Sequence, residues 1–180
     1  MIFRATEIPG VAIVDLDKSL DERGFFARSF CTGEFADHGV PIEAAQCNVS
    51  VNRLRGTLRG MHYQAAPKPD PKLVRCTRGT MYDVAVDLRP ESPMYCRWVG
   101  VELDAATHRA LLIPAGCAHG FLTLTDDVEV LYVMGAAYDP ELARGVRWDD
   151  PAFAIAWPCP PTAISERDRG YPDFAPQAAR

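Results

Sequence analysis

The sequence predicts an all-β domain, a sandwich or barrel of short strands with a few short helices. Apolar and polar residues alternate in mid-chain, where Val84, Val86 and Leu88 stand between less apolar neighbours. This period of two is typical of strands. Turn-forming residues recur at close intervals, for example at Arg78-Gly79 and at residues 114–116, and helical periodicity is thin. Many short strands at such spacing favour a sandwich or barrel.

The predicted elements follow one another without a long linker. A short helix is expected at residues 32–38 and a turn at residues 165–168. Between them, strands are predicted at residues 73–77, 83–89, 99–103, 109–113, 121–124 and 129–134. Prolines cluster at residues 158–161 and indicate an irregular C-terminal segment, which we expect to pack back on the barrel. The absence of repeats and linkers predicts a single domain over residues 1–180.

The composition and the net charge argue against several classes of protein. The 180 residues are 48% hydrophobic and 24% charged, with a net charge of −5, which argues against a nucleic-acid or anionic-membrane surface. The six cysteines form no CxxC pair, so we expect reduced thiols. The N-terminus lacks the pattern of a signal peptide, and no apolar run approaches the roughly 18 residues of a membrane span. We therefore expect a soluble, cytoplasmic protein.

Two of the four histidines lie in glycine-bearing contexts. His119 ends the stretch Pro114-Ala115-Gly116-Cys117-Ala118-His119, which resembles a P-x-G-x-x-H pattern found in cupin barrels, and His62 follows Arg59-Gly60-Met61. A cupin metal site needs an H-x-H pair and a carboxylate. The second residue after His62 is Gln64, so too few ligands remain and we expect no metal. For either histidine taken alone, a structural role is favoured over a functional one.

Sequence blocks along nearly the whole chain resemble the dTDP-4-dehydrorhamnose 3,5-epimerase family. They occur in order and without large gaps: residues 21–26 (DERGFF), 46–50 (QCNVS), 58–64 (LRGMHYQ), 72–75 (KLVR), 83–89 (DVAVDLR), 92–93, 113–121, 132, 138–140 (YDP), 148–151 (WDDP), 157–158 and 165–168 (SERD). The resemblance implies a cupin-type double-stranded β-helix, or jelly roll, that forms a homodimer and uses no cofactor. It also implies epimerisation at C3, C5 or both of a nucleotide-linked 4-keto-6-deoxyhexose, of the kind that makes dTDP-4-dehydrorhamnose.

The resemblance also assigns roles to residues. By position, His62 matches the base that abstracts a proton, Asp168 the carboxylate that orients it, Lys72 the lysine beside the enolate, and Tyr132 the acid on the opposite face. The positions that match substrate-binding residues are Arg23, Phe26, Arg28, Gln46, Asn48, Arg59, His119, Tyr138 and Arg167.

These residue types suit the chemistry on independent grounds. A C–H bond beside a ketone becomes acidic only if the enolate is stabilised, and a lysine ammonium such as that of Lys72 can do so. Histidine titrates near neutrality, and a carboxylate such as Asp168 can fix its tautomer. Inversion needs a second proton donor on the other face. We expect Tyr132 to face the barrel interior and to serve as that donor.

Three positions depart from the family pattern, all on the nucleotide side. Arg28 and Ala143 stand where the family commonly has glutamates, and Arg167 stands where lysine is usual. Arg28 can only donate hydrogen bonds, whereas a glutamate accepts them. The catalytic assignment is unaffected, but a base that presents acceptors, as in CDP- or GDP-sugars, becomes an alternative to thymine.

Other functions remain open from the sequence. The same fold could support a single-centre epimerase or a 3,4-ketoisomerase, although the presence of both His62 and Tyr132 favours inversion. A metal-dependent cupin or a non-catalytic sugar-binding cupin are alternatives of another class. Deuterium incorporation from D2O separates the catalytic from the non-catalytic readings.

Overall fold

The computed structural model describes residues 1–176 and consists mainly of strands, as expected. The elements are β1 (Ile2–Ala5), β2 (Ala12–Asp15), β3 (Ser19–Asp21), β4 (Gly24–Phe26), α1 (Thr32–Asp37), β5 (Gln46–Asn52), β6 (Thr57–Gln64), β7 (Lys72–Arg78), β8 (Thr80–Asp87), β9 (Trp98–Asp104), β10 (Ala110–Ile113), β11 (Cys117–Thr123), β12 (Val128–Met134), β13 (Ala143–Gly145), β14 (Ala163–Ile164) and α2 (Glu166–Arg169). The predicted domain over residues 1–180 therefore ends four residues beyond the described part.

Two sheets form the barrel. The first has the order β1-β2-β10-β7-β12-β5, and the second has the order β13-β6-β11-β8-β9 with β14 paired to β6. Every pairing is antiparallel except that of β14. Neighbouring strands are distant in sequence, because the chain crosses repeatedly between the sheets. This is the jelly-roll arrangement, and the predicted fold class is confirmed.

The main core lies between the two sheets. Val74, Leu111 and Val130 from the first sheet are buried against Met81 and Phe121 from the second. Tyr132 on β12 packs against this cluster, so the expectation that it faces the barrel interior is confirmed. Burial of these apolar side chains supplies most of the favourable free energy of folding.

Both sheets are also covered on their outer faces. Phe35 of α1 and Ile42 pack on the outside of the first sheet. On the second sheet, Val84 and Val86 are buried under the C-terminal segment, which contributes Phe153. The expectation that this segment packs back on the barrel is confirmed. No helix in residues 1–176 has the length and apolar character needed to cross a membrane.

The alternation in β8 separates two buried layers, not a buried face from an exposed one. The valines point to the outer layer, while the intervening Asp83 and Ala85 are fully buried on the inner side. A polar residue in this strand therefore marks the barrel interior rather than the solvent. The cause is the C-terminal segment, which makes the outer face as apolar as the inner one.

Several strands were not predicted. The hairpin β3–β4 consists of two three-residue strands whose side chains are all exposed, and the side chains of β5 are mostly exposed as well. Strand β6 lacks clear alternation because it carries glycine, arginine and histidine for the site described below. The predicted helix at residues 32–38 corresponds to α1, and the predicted turn at residues 165–168 overlaps α2.

Candidate active site

A cavity of about 720 Å³ opens between the two sheets. Its walls come from β5, β6, β7, β11, β12, β13 and α2. The lining includes nine of the predicted site residues: Asn48, Arg59, His62, Lys72, His119, Tyr132, Tyr138, Arg167 and Asp168. Residues separated by more than 100 positions in sequence thus meet in one concave site of the size that small-molecule ligands use.

His62 and Asp168 form a hydrogen-bonded pair at the cavity wall. His62 Nε2 lies 2.7 Å from Asp168 Oδ1, and the backbone N–H of Gly60 donates to Asp168 Oδ2 at 3.3 Å. An ionised carboxylate can only accept hydrogen bonds, so His62 donates from Nε2. The Nδ1 lone pair is then the basic atom of a side chain that is 41% exposed.

The pKa of Asp168 is held below its ordinary value. Burial by itself raises this pKa, but the hydrogen bond from His62, its charge and the Gly60 N–H together outweigh burial. Ser165, the N-cap of α2, accepts a hydrogen bond from the backbone N–H of Asp168 at 3.1 Å. The carboxylate is therefore ionised and fixed in place.

A close approach of two strands brings His62 opposite His119. The two residues are directly paired between β6 and β11. A Cβ on Gly120 would lie 2.8 Å from the carbonyl oxygen of Arg59 and 2.9 Å from Gly60 Cα. Only glycine permits this approach, because the colliding atoms are backbone.

His119 has its own carboxylate partner, Asp83. His119 Nε2 lies 2.7 Å from Asp83 Oδ1, and both side chains are almost completely buried. Asp83 Oδ2 has no hydrogen-bond partner in the described part of the chain. Sequence reasoning placed Asp83 in a matching block but gave it no role. The only available signal was an acid on a buried strand, which needs a partner.

Lys72 lies at the beginning of β7 and pairs with Asp70. The two charged atoms, Lys72 Nζ and Asp70 Oδ2, are 3.2 Å apart, with side chains 6% and 5% exposed. Asp70 Oδ1 also accepts a hydrogen bond from the N–H of Ala136. The sequence did not identify Asp70, which lies in a proline-rich connection. The pair fixes a buried ammonium at the cavity wall.

Tyr132 projects into the cavity from the first sheet. Its ring lies 6.0 Å from the His119 ring in an edge-to-face arrangement. Burial raises the pKa of Tyr132 far above its ordinary value, and the charge of Asp83 raises it further, while Arg59 lowers it. The phenol is therefore protonated throughout the neutral range, as a proton donor must be.

The outer part of the cavity is cationic. Arg144 and Arg169 line it together with the predicted Arg59 and Arg167. The sequence did not single out Arg144 or Arg169, because isolated arginines in polar segments carry no pattern. Within the cavity lining the acids are Asp70 and Asp168, and both are paired with a base. The positive charge suits a polyanionic ligand.

Gln46 lies just outside the lining and organises its rim. Its Oε1 accepts from the N–H of Tyr138 at 2.8 Å, and its Nε2 donates to Asn48 Oδ1 at 3.3 Å. Tyr138 is 60% exposed. The rim therefore offers an aromatic face and an amide.

Arg23, Phe26 and Arg28 do not reach the cavity of their own chain. Arg23 pairs with Asp21 in the β3–β4 hairpin, and Phe26 is 82% exposed. Arg28 Nη1 donates to Glu34 Oε1 at 2.8 Å. Their substrate-binding roles remain predictions, and the single chain does not bring these residues to the site.

The described residues provide neither a metal-ligand cluster nor a disulfide. Across residues 1–176, no group of three or more His, Cys, Asp and Glu side chains is arranged to hold a metal ion. The six cysteines form no disulfide among residues 1–176.

Comparison with known proteins identifies close relatives over nearly the whole chain. The family model for dTDP-4-dehydrorhamnose 3,5-epimerase matches residues 5–176. A protein of that name from Sinorhizobium fredii is 42% identical over 175 residues, covering 97% of this chain and 90% of the relative. A dTDP-4-dehydrorhamnose 3-epimerase from Streptomyces niveus is 38% identical, with coverages of 94% and 82%.

A solved structure is also closely similar. The crystal structure of a dTDP-4-dehydrorhamnose 3,5-epimerase from Bacillus anthracis, with TDP and pyrophosphate bound, superposes with a TM-score of 0.91. The two sequences are 37% identical, and the match covers 96% of this chain and 99% of that one.

Proposed function

Because the chain belongs to the dTDP-4-dehydrorhamnose 3,5-epimerase family, we propose that it inverts C3 and C5 of a dTDP-linked 4-keto-6-deoxyhexose. It is an isomerase of the nucleotide-sugar class. The observation that carries the residue assignments is the meeting of the His62–Asp168 pair, Lys72 and Tyr132 in one cavity.

His62 is the base of the proposed mechanism. Its Nδ1 takes the proton from the carbon next to the ketone, while Asp168 stabilises the imidazolium that forms. In the D-gluco ring the hydrogens on C3 and C5 are axial on the same face. One base therefore serves both centres.

Lys72 stabilises the enolate. As the C–H bond breaks, its electron pair forms the C=C bond and the negative charge moves to O4. The buried ammonium of Lys72, fixed by Asp70 at 3.2 Å, offsets that charge in a site of low dielectric. His119, held by Asp83 at 2.7 Å, lines the same cavity.

Tyr132 returns the proton from the other face. It belongs to β12 of the first sheet, whereas His62 belongs to β6 of the second, so the two approach a sugar ring from opposite sides. The enolate carbon takes the phenol proton. The phenolate then takes up a proton from solvent, and the imidazolium releases one to solvent. This arrangement supports inversion rather than return of the proton to its original face.

The arginines bind the diphosphate in this proposal. Arg59 and Arg167, the predicted pair, are joined by Arg144 and Arg169 in the cationic outer cavity, and guanidinium groups match phosphate geometry. Tyr138 stacks on the base at the rim, and Gln46 and Asn48 contact the nucleotide.

The predicted homodimer accounts for the residues that do not reach the cavity. The β3–β4 hairpin exposes Leu20 and Phe26, and the edge strand β5 exposes Val49 and Val51 beside the cavity. An exposed apolar hairpin and an apolar sheet edge are complementary surfaces. We propose that the hairpin of each subunit covers β5 of the other and brings Arg23, Phe26 and Arg28 to its cavity.

Light scattering after size exclusion tests the dimer. The wild-type chain should elute with twice the mass of one chain, and Leu20→Glu should shift it towards the monomer with reduced dTDP affinity. A wild-type monomer at assay concentration would contradict the proposal.

A single-centre epimerase is the second candidate, because the Streptomyces niveus relative is named a 3-epimerase. Incubation with dTDP-4-keto-6-deoxyglucose and NMR of the product separates the two. We expect inversion at both C3 and C5, unchanged by a metal chelator. Inversion at C3 alone would favour the second candidate, and no inversion with intact dTDP binding would overturn the enzymatic proposal.

A further inference from the structure

Tyr171 lies three residues after Asp168, beyond the end of α2, and contacts the site from outside its lining. We propose that Tyr171 is a positioning residue with two effects. Its hydroxyl orients Arg167 towards the substrate diphosphate, and its ring packs beside the His62–Asp168 pair and holds the pair in place. The proposal rests on the proposed function and adds to it a residue with no role in the assignments above.

The first observation is a hydrogen bond to Arg167. Arg167 Nε donates to the Tyr171 hydroxyl at 3.0 Å. Hydrogen bonding to Tyr171, and then to Tyr138, raises the pKa of Arg167 above its ordinary value. Because Tyr171 takes Nε, the two Nη groups are the donors left for Tyr138 and for an anionic ligand. A guanidinium held in this way loses less rotamer freedom when it binds phosphate.

The second observation is the packing of the Tyr171 ring against Gly145. A Cβ on Gly145 would overlap ring atoms Cζ and Cε2 of Tyr171, so the ring lies directly on the backbone of β13. Gly145 is paired with His62 across β13 and β6. The ring centroid of Tyr171 is 6.3 Å from that of His62 in an edge-to-face arrangement. Because Gly145 has no side chain, the Tyr171 ring can lie against β13 and beside His62, the proposed base.

The third observation concerns α2, which has only four residues. So short a helix is not stable by itself. Ser165 caps it three residues before Asp168, and Tyr171 anchors the chain three residues after it. The carboxylate that orients His62 lies between these two anchors.

Tyr171→Phe separates the two contributions of the side chain. It removes the acceptor for Arg167 but keeps the ring on Gly145. We expect KM for dTDP-4-keto-6-deoxyglucose and the calorimetric Kd for dTDP to rise by about two- to tenfold, the usual net value of one hydrogen bond. The kcat should stay within about twofold of wild type, because the ring beside His62 remains.

Tyr171→Ala removes both contributions. KM should rise as in Tyr171→Phe, and kcat should fall by about ten- to a hundredfold, because small displacements of catalytic groups are costly. Gly145→Ala displaces the ring without changing it and should reproduce much of the fall in kcat. In the Tyr171→Ala variant the ring is absent and the methyl group introduced at position 145 has no atom to displace. Adding Gly145→Ala to that variant should therefore lower kcat by less than about a further twofold.

The chain offers a matched control. On the second sheet, a Cβ on Gly100 would overlap the ring of Tyr82 in the same way, and neither residue lines the cavity. Gly100→Ala and Tyr82→Phe should lower the melting temperature at most, with KM, kcat and the Kd for dTDP unchanged.

The outcomes are distinguishable. An active wild type in which Tyr171→Phe leaves both KM and the Kd for dTDP unchanged would overturn the role at Arg167. Additive losses for Gly145→Ala and Tyr171→Ala would overturn the role beside His62. A wild type that binds dTDP but inverts no centre would instead contradict the proposed function.

Discussion

His62 and His119 face each other across two paired strands, yet their surroundings differ. Asp168, the partner of His62, accepts hydrogen bonds at both oxygens, and His62 opens to the cavity. Asp83, the partner of His119, has one oxygen without a donor among residues 1–176, and the pair is buried. His62 is thus the histidine with both a satisfied carboxylate and an accessible base, which is why we assign it the proton abstraction.

Tyr132→Phe tests the division between base and acid. With His62 intact the C–H bond can still ionise, and the proton can exchange with solvent on its original face. We expect the variant to keep part of the deuterium incorporation into recovered substrate while losing most inverted product. NMR of substrate and product after incubation in D2O measures both. Equal loss of the two signals would mean that Tyr132 only shapes the cavity.

At the scale of elements, the site depends on the contact between the short helix α2 and the strand β6. α2 carries Asp168 and Arg167, and its N-terminus is closed by the Ser165 cap. β6 carries Arg59 and His62 and is held between β11 on one side and β13 and β14 on the other. The geometry of the His62–Asp168 pair is therefore set where α2 docks on β6.

Ser165→Ala tests this docking. Loss of an N-cap hydrogen bond costs about 0.5–2 kcal/mol, and here it loosens the helix that holds Asp168. We expect a small fall in the free energy of unfolding but a several-fold fall in kcat, measured by denaturant titration and initial rates. Ser165→Thr keeps a capping oxygen and is the control. A loss of kcat in the threonine variant equal to that in alanine would show that the cap is not the cause.

At the scale of the whole molecule, buried carboxylates link stability to pH. Burial alone raises the pKa of Asp87, but hydrogen bonds from Arg89 and Ser92 outweigh it, and the net pKa is lowered from 3.8. Asp168 behaves in the same way. A carboxylate with a lowered folded-state pKa contributes stability above its unfolded pKa, and that stability is lost as pH falls through the folded value.

The free energy of unfolding should therefore be nearly constant from about pH 7 to 5 and fall steeply below about pH 4. Asp87→Asn should lower it by about 1.5–3 kcal/mol at pH 7, the range for hydrogen bonds to a charged group, and make the loss of stability in acid shallower. Urea titrations across this pH range measure both effects. If the free energy of unfolding of Asp87→Asn fell with pH as steeply as that of wild type, other titrating groups would control the loss of stability in acid.

The sequence predicted the parts of the molecule in which local pattern and burial agree. The sequence pattern predicted four strands whose apolar residues are contiguous or alternate, namely β7, β9, β10 and β12. β6 was not found, because the residues of the site replace the pattern there. Asp83 was given no role, since covering the outer face of β8 reverses the usual meaning of a polar residue in a strand.

The spatial relations of the site required the fold. His62 and Asp168 are 106 residues apart, and no local pattern joins them, so their pairing was expected only from family resemblance. The positions of Arg144 and Arg169 in the cavity and the contact of Tyr171 with Gly145 depend on how distant segments pack together. Asp70 is only two residues from Lys72, but it lies in a proline-rich connection that carries no recognisable pattern. Arg23 and Arg28 do not reach the cavity of their own chain, and in our proposal a second subunit brings them to it.

The central claim is that His62 removes the proton from a 4-keto sugar. Its most direct test is incubation of wild type and His62→Ala in D2O with dTDP-4-keto-6-deoxyglucose, followed by NMR at C3 and C5. The wild type should incorporate deuterium at both carbons. His62→Ala should still bind dTDP, but its rate of deuterium incorporation should fall by about 10²–10⁴ at both carbons. Exchange at either carbon in His62→Ala at the wild-type rate would contradict the mechanism.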